Sequence, residues 1–361
     1  MRDFVIAGAG MFGAAFARAA TDAGYTCIVY DKKPHVAGAA HDEKRGNVHV
    51  SSYGAHIFHT NSDEVWRFVN MHAEWTPFIN RPKALAKGRV YSLPINMMTL
   101  HQLWGVVTPA EAEAELLRRR IPHDAPRNFE EWALSMVGRE IYELFFYGYT
   151  KKQYHKEPHL LPASIIKRLP IRLTYDENYF STEYQAMPVD GYADFVNSML
   201  DGIYVELGTP LPKNWRKYGK RLVYSGPVDE LADYAFGKLD YNSLDFKTEL
   251  MEVGDYQGNA VMNHCDESTP HIRTIEYKHF LKDTRKHRVR VDDGKTWLTY
   301  DIPCIGGEPL YPILDERNSA LYTKYVATKP DDVIFGGRLG EYRYYDMDQA
   351  IASALAKVRA L

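Results

Sequence analysis

Four apolar residues running straight into three spaced glycines constrain this chain more than anything else in it. Phe4-Val5-Ile6-Ala7 leads to Gly8, Gly10 and Gly13, a G-x-G-x-x-G pattern within VIAGAGMFGAAFARAATDAGYTCIVYD. Gly8 permits a tight turn, Gly10 leaves room for a pyrophosphate at the backbone, and Gly13 lets helix and strand pack closely. Ala14, Ala15, Ala17, Ala19 and Ala20 continue a helix, and Cys27–Tyr30 reads as a second buried strand. Asp31 ends that strand, where an acid can accept hydrogen bonds from a ribose. A bare glycine triplet is a weak signal; with strand, helix, strand and acid around it, the unit predicts dinucleotide binding.

The 361 residues suit two or three domains with ample core. A net charge of −3 gives no electrostatic case for nucleic acid or an anionic membrane. Cys27, Cys265 and Cys304 lie far apart, an odd count that argues against a disulfide framework. His56 and His59 in YGAHIFHT have no cysteine or acid at ligand spacing, so no metal is expected. No apolar run approaches roughly 20 residues. The first residues already read as core strand, so neither leader nor membrane anchor is expected and the protein reads as cytoplasmic. Many of the 26 tyrosines sit in polar, glycine-containing segments, which suits stacking on small polar ligands and hydrogen bonding to them.

After the nucleotide unit, HVAGAAHDEKRGNVHVSSYGAHIFHT is too long and histidine-rich for a mere connector, and a helix is expected from Asp63 to Met71. Residues from about 95 to 160 read as mostly helical. Thr108-Pro109-Ala110-Glu111 forms a capping box with proline at the first helical position, and Asn128 with Glu131 opens a second helix. DGYADFVNSML reads as a helix, and RLVYSGP as a strand able to rejoin the nucleotide sheet. From about 240 to 310 the runs LDFKTELMEV, GNAVMNHC, IRTIEYKHF and RKHRVRVDD look like antiparallel strands. The end of the chain reads as strand, long polar loop and helix, with Asp346 and Gln349 capping a helix from Ala350 to Leu361. The fold class is therefore α/β: a Rossmann-like nucleotide-binding domain with a helical insertion and an antiparallel-sheet domain.

Several residues leave two readings open. The terminal helix is either a plain capped helix or a positive helix end facing a flavin ring, with Arg338 adding a cation. FFYGYTKKQY, residues 145–154, is aromatic core or a platform that stacks a nucleobase, placed just past a helix. Arg168 and Arg273, isolated cations in apolar segments, snorkel, pair with a carboxylate, or clamp a diphosphate. No nucleophile elbow is present and no Ser/His/Asp set can be argued from spacing.

Taken in order, GAGMFGA, SSYGAHIFHTN, SLPINM, QLWGV, GYTKKQ, LPASIIKRLPIR, NYFSTEYQ, QGNAV, IEYKHF, EPLYP and FGGRLGEYRYYDM resemble the bacterial flavin-dependent UDP-galactopyranose mutases over essentially the whole chain. The resemblance implies a discontinuous FAD domain (1–80, about 187–238 and 315–361), a helical domain (about 81–165), and a lid with an antiparallel-sheet domain (about 166–186 and 239–314). It implies an isomerase in which reduced flavin N5 attacks the anomeric carbon of a UDP-sugar, an external reductant such as NAD(P)H, a homodimer, and a place in cell-surface polysaccharide synthesis. Residue by residue, it implies that Phe145, Phe146, Tyr149 and Thr150 bind uridine and that Asn80 and Asn263 contact substrate. Arg168 and Arg273 would clamp the diphosphate, with Tyr179, Tyr311 and Tyr344 adding hydroxyls. His59 and Asp346 would line the sugar side, with Tyr154 at the sugar end. Besides the three glycines and Asp31, the FAD contacts would be Phe12, Lys32, Gly38, Ala39, His56, Ile57, Arg338, Met347, Asp348 and Gln349. Three departures stand out: Tyr154 replaces the usual tryptophan, Ala37-Gly38-Ala39 replaces a double glycine with asparagine, and Asp31 stands where glutamate is frequent. The residues alone leave open an NAD-dependent dehydrogenase, and the fold type leaves open an amine oxidase or a flavin-bearing scaffold. A mutase preferring UDP-arabinopyranose or a 6-deoxy sugar is the alternative within the family.

Overall fold

The apolar run at the start of the chain becomes the central strand of a five-stranded parallel sheet. In this computed structural model, which describes residues 1–163, 171–280 and 294–361, Arg2–Ala7 lies between Cys27–Tyr30 and Gly219–Tyr224. Tyr204–Glu206 and Val333–Phe335 form the edges. Alternation along the strand sends Phe4 and Ile6 to one face and Val5 and Ala7 to the other, so both faces are buried. The first face is covered by the helices Met11–Asp22, Gly191–Leu200 and Met347–Arg359.

This sheet belongs to the first of two compact units, formed by Met1–Phe78, Thr182–Ser243 and Gly306–Leu361. The strand expected in RLVYSGP pairs in parallel with the N-terminal strand, Val5 opposite Leu222. The terminal helix starts earlier than expected, at Met347 rather than Ala350, and the Asp346 N–H donates to Gln349 Oε1 at 3.0 Å. The polar loop before it also contains a helical turn, Gly337–Gly340.

The second unit, Ile79–Ser181 with Leu244–Ile305, holds both the helical block and the antiparallel strands. Its sheet runs Tyr241–Met251 (whose first residues belong to the first unit), Thr296–Cys304, Arg273–Glu276, Val261–His264, Lys83–Ala86 and Arg89–Ser92. Thr296–Cys304 was not among the expected strands, and RKHRVRVDD lies wholly outside the described residues. Both sequence caps form: Thr108 N–H donates to Glu111 Oε2 at 3.0 Å, and Glu131 N–H to Asn128 Oδ1 at 2.9 Å.

Of the two readings open for residues 145–154, core holds for Phe145 and Phe146. The helix that opens at Phe129 breaks at Gly138, whose φ of +73° is not helical; beyond the break the chain turns helical again, passes through a π-helical turn, Tyr142–Tyr147, and continues as Gly148–Tyr154. The wider turn carries Phe145 and Phe146 inward, where both are buried in the core of the unit. Phe145 packs edge-on against Tyr91 at 5.2 Å between ring centroids.

Candidate active site

In the first unit the glycine turn and the loop around Ala37 abut through their backbones. Ala37 N–H donates to Ala9 O at 2.9 Å, and Gly10 forms a bridge with Ala37. Gly8 has a φ of +112°, and a Cβ there would stand 2.1 Å from Ser225 Oγ; at Gly13 it would stand 1.9 Å from the Gly8 carbonyl oxygen. Only glycine lets the turn close on these neighbours. Ala37 has a φ of +69°, left-handed backbone at a position where the resembling family has glycine. Asp31 braces the turn from below: Oδ2 accepts from Ala9 N–H at 2.7 Å and Oδ1 from Lys33 N–H at 2.8 Å.

A cavity of about 670 Å³ opens over this turn. Of the expected residues it brings together Gly8, Gly10, Phe12, Gly13, Asp31, Lys32, Gly38, Ala39, His56, Arg338, Asp346 and Met347. Ile57, His59, Asp348 and Gln349 are not in its lining. Its other walls, Leu211, Trp215, Tyr224, Ser225, Pro309 and Leu310, escaped the sequence reading. Tyr224 and Ser225 had a usable signal at the end of the strand in RLVYSGP, as did Pro309 and Leu310 in EPLYP; Trp215 had none. The residues fit FAD. The helix Met11–Asp22 starts at Gly10 with no side chain capping it, which leaves backbone N–H groups for a diphosphate. An acid, apolar walls and a guanidinium complete the lining.

Arg338 is fixed rather than free-swinging: Nη2 and Nε donate to Tyr345 O at 2.7 and 3.1 Å. Its guanidinium lies 4.8 Å from the Tyr311 ring centre and 5.4 Å from that of Tyr344, and the two rings stack at 5.2 Å. His59 Nε2 comes within 4.0 Å of Asp346 Oδ2, an acidic neighbour that local spacing did not reveal. Burial pushes the His59 imidazole below its ordinary value, with Asp346 and Asp348 opposing. Burial likewise raises Asp348, so both groups tend toward their neutral forms.

In the second unit, strand register collects the other expected residues. Arg273 stands opposite Asn263 on one side and Asp301 on the other. Its Nε and Nη2 each lie 2.6 Å from Asp301 Oδ2, and Asp301 has no solvent exposure. Burial raises the Asp301 carboxyl, with Arg273 opposing. Burial raises the Tyr149 phenol, with Arg273 opposing and Tyr179 and Asp301 adding to the rise. Tyr179 N–H donates to Asn80 O at 2.8 Å, and Asn263 Nδ2 to Lys83 O at 3.3 Å. Thr150 is buried, and Tyr154 is half-buried against the helical core. Arg168 lies outside the described residues.

One acidic cluster stands apart. Asp255, Glu276 and His279 bring ligand atoms within 4.8 Å of one another. Lys278 Nζ already sits 2.8 Å from Asp255 Oδ2 and 3.6 Å from Glu276 Oε1, so the group is an ion-pair network. Glu276 also accepts from Tyr256 and Gln257 N–H at 3.0 and 2.9 Å.

A family profile described as UDP-galactopyranose mutase matches residues 144–344, and one described as an NAD(P)-binding Rossmann-like domain matches residues 6–71. The chain is 40% identical to a probable UDP-galactopyranose mutase of Klebsiella pneumoniae, over 98% of this chain and 93% of that one. It is 37% identical to the dTDP-fucopyranose mutase of Escherichia coli, over 98% and 97% respectively. The crystal structure of a reduced UDP-galactopyranose mutase superposes with a TM-score of 0.77 at 14% identity, covering 99% of this chain and 95% of the other, a likeness of fold. The glycine cradle, the Arg273 cluster and the end-to-end match agree: this chain belongs to the UDP-galactopyranose mutase family.

Proposed function

We propose that the protein interconverts UDP-galactopyranose and UDP-galactofuranose. The observation that carries this reading is the family match spanning 98% of the chain. The family is flavin-dependent, and FAD is the cofactor that the first unit's cradle accommodates. The reaction breaks C1–O5 of the sugar and makes C1–O4, with no net redox change. Reduced FAD, when bound, supplies the nucleophile for the anomeric carbon. The chain's own task is to hold and polarise. Arg273, kept rigid by Asp301, stabilises the diphosphate as it leaves, with Tyr149 and Tyr179 beside it. Arg338 and the N-terminus of Met347–Arg359 favour negative charge at the cofactor. NAD(P)H is the class of reductant that keeps the cofactor active, and the working protein is a cytoplasmic homodimer that feeds polysaccharide synthesis.

A second reading has its own support. The relative that acts on a dTDP-linked 6-deoxy sugar is almost as similar as the galactose one, and Tyr154 replaces the usual tryptophan. A site lacking the partner for one hydroxyl discriminates weakly, so a preference rather than exclusivity is expected. The test is kcat/KM of the dithionite-reduced protein on UDP-galactofuranose, UDP-arabinofuranose, UDP-N-acetylgalactofuranose and dTDP-fucofuranose side by side. UDP-galactofuranose leading by more than ~10-fold supports the first reading. Leadership by dTDP-fucofuranose replaces it with the second, and equal activity in the oxidised protein defeats both.

A further inference from the structure

Lys152 points its ammonium at three backbone carbonyls, those of His264, Asp266 and His271, at 2.8, 2.8 and 2.9 Å. An ammonium has three donors, and here each one finds an acceptor on the connection between two strands. The same connection touches the helix one turn earlier. A Cβ on Gly148 would stand 2.4 Å from Cys265 O and 2.9 Å from Glu267 N, so helix backbone and loop backbone are in direct contact. Gly148 and Lys152, four residues apart, therefore form one docking stripe on the helix Gly148–Tyr154.

The positions on either side of this stripe matter. Tyr149 and Thr150 lie on the helix between the two docking residues. Asn263 ends up just before the connection and Arg273 just after it, directly across the ladder from each other. Lys151, next along the helix, instead bridges Glu157 and Glu267 at 2.9 and 2.7 Å near the surface. Burial lowers the Lys152 amine to about 8, with Cys265 and Asp266 opposing. His264 and His271, which also face it, are themselves held neutral by burial. The cluster is thus built around a single cation.

We propose that Lys152 is a positioning residue for the nucleotide: it fixes the spacing between the helix that carries Tyr149 and the strand pair that carries Arg273. This inference rests on the reading of those residues as base and diphosphate contacts. A small misplacement between two halves of a binding site costs far more for a ligand that must reach both than for one that engages mainly one.

The test compares UDP with UMP, using dissociation constants from calorimetry on the FAD-loaded protein. Lys152→Met keeps the bulk of the side chain and removes the donors. It should weaken UDP by ~10-fold or more and UMP by less than ~3-fold, with FAD absorbance per chain unchanged. Lys152→Arg, which restores donors to the carbonyls, should return the UDP/UMP ratio to within ~3-fold of the native one. Lys151→Gln, at the surface pair, should leave both affinities unchanged. Equal weakening of UDP and UMP, or no change in either, overturns the inference. If Lys152→Met does not fold, Gly148→Ala reads the same ratio, since its methyl displaces the connection while the charge remains; an unchanged ratio there also overturns it. A native protein that binds neither UDP nor UMP refutes the nucleotide assignment itself, a result distinct from a native-like ratio in the variants.

Discussion

Removing Arg273 should do two separable things, because its guanidinium both faces the substrate cluster and neutralises Asp301. Arg273→Ala leaves a carboxylate of zero exposure whose Oδ2 has lost both 2.6 Å contacts. Breaking a buried pair costs about 3–5 kcal/mol; the arginine side chain keeps 26% exposure, which screens the pair and reduces the loss to about 2–3 kcal/mol. The sign of its pH dependence follows from Asp301. Its folded carboxyl is already raised by burial, and losing Arg273 raises it further. Between the ordinary carboxylate value and that raised one, the folded state holds a proton that the unfolded state has released. Stability of the variant therefore falls as pH rises, by at most about 1.4 kcal/mol per pH unit, and its deficit relative to the native protein widens as pH climbs past the native carboxyl's own raised value. Separately, losing a charge-assisted contact worth about 1.5–3 kcal/mol should weaken UDP roughly 10- to 150-fold. Urea unfolding across pH and calorimetry with UDP measure the two effects. Adding Asp301→Asn should flatten the pH dependence of the deficit without restoring UDP affinity. A single variant with a pH-independent deficit and native UDP affinity would refute the argument.

Gly13→Ala puts a methyl 1.9 Å from the Gly8 carbonyl oxygen and should yield a colourless protein that gains no flavin bands on incubation with FAD; native absorbance would contradict the account of the cradle. His264, held at about 4 by burial, binds a proton more readily when unfolded, so native stability should fall as pH drops from about 6.5 toward 4, and His264→Gln should lose less over that range in urea titrations. Tyr154→Trp should move kcat/KM toward UDP-galactofuranose relative to dTDP-fucofuranose; an unchanged ratio would mark the position as packing only.

The nucleotide cradle was legible because its signals are contiguous: turn, helix and acid occupy residues 8–31, and their geometry follows from local sterics. The cavity's remaining walls come from sequence neighbourhoods around 211–225 and 309–310, brought together only by the fold, so no spacing announces Trp215 or joins it to the EPLYP motif that holds Pro309. Arg273 was singled out as an isolated cation that pairs or clamps, yet its partner Asp301 is set by ladder register, which periodicity does not fix. The aromatic run at 145–154 left core and stacking platform both open for a different reason: a π-helical turn breaks the 3.6-residue repeat, so periodicity does not fix which way Phe145 and Phe146 face, and the fold buries both.

The order of strands in the first unit also sets a timetable for biosynthesis. Arg2–Ala7 leaves the ribosome first, but its parallel neighbour Gly219–Tyr224 and the edge strand Val333–Phe335 are translated much later. Phe12 must then fit beneath Gly336, where any side chain would stand 1.8 Å from its ring. Cys27–Tyr30 follows at once, but at ribosomal speeds of ~5–20 residues per second the other side of the N-terminal strand waits on the order of ten seconds or more for Gly219–Tyr224. During that interval, before Arg338 and Ala350 close the cavity, cofactor cannot be captured in its finished pocket. FAD loading into the finished pocket thus follows synthesis of Ala350, and flavin starvation should leave chains that extend beyond Ala350 awaiting cofactor.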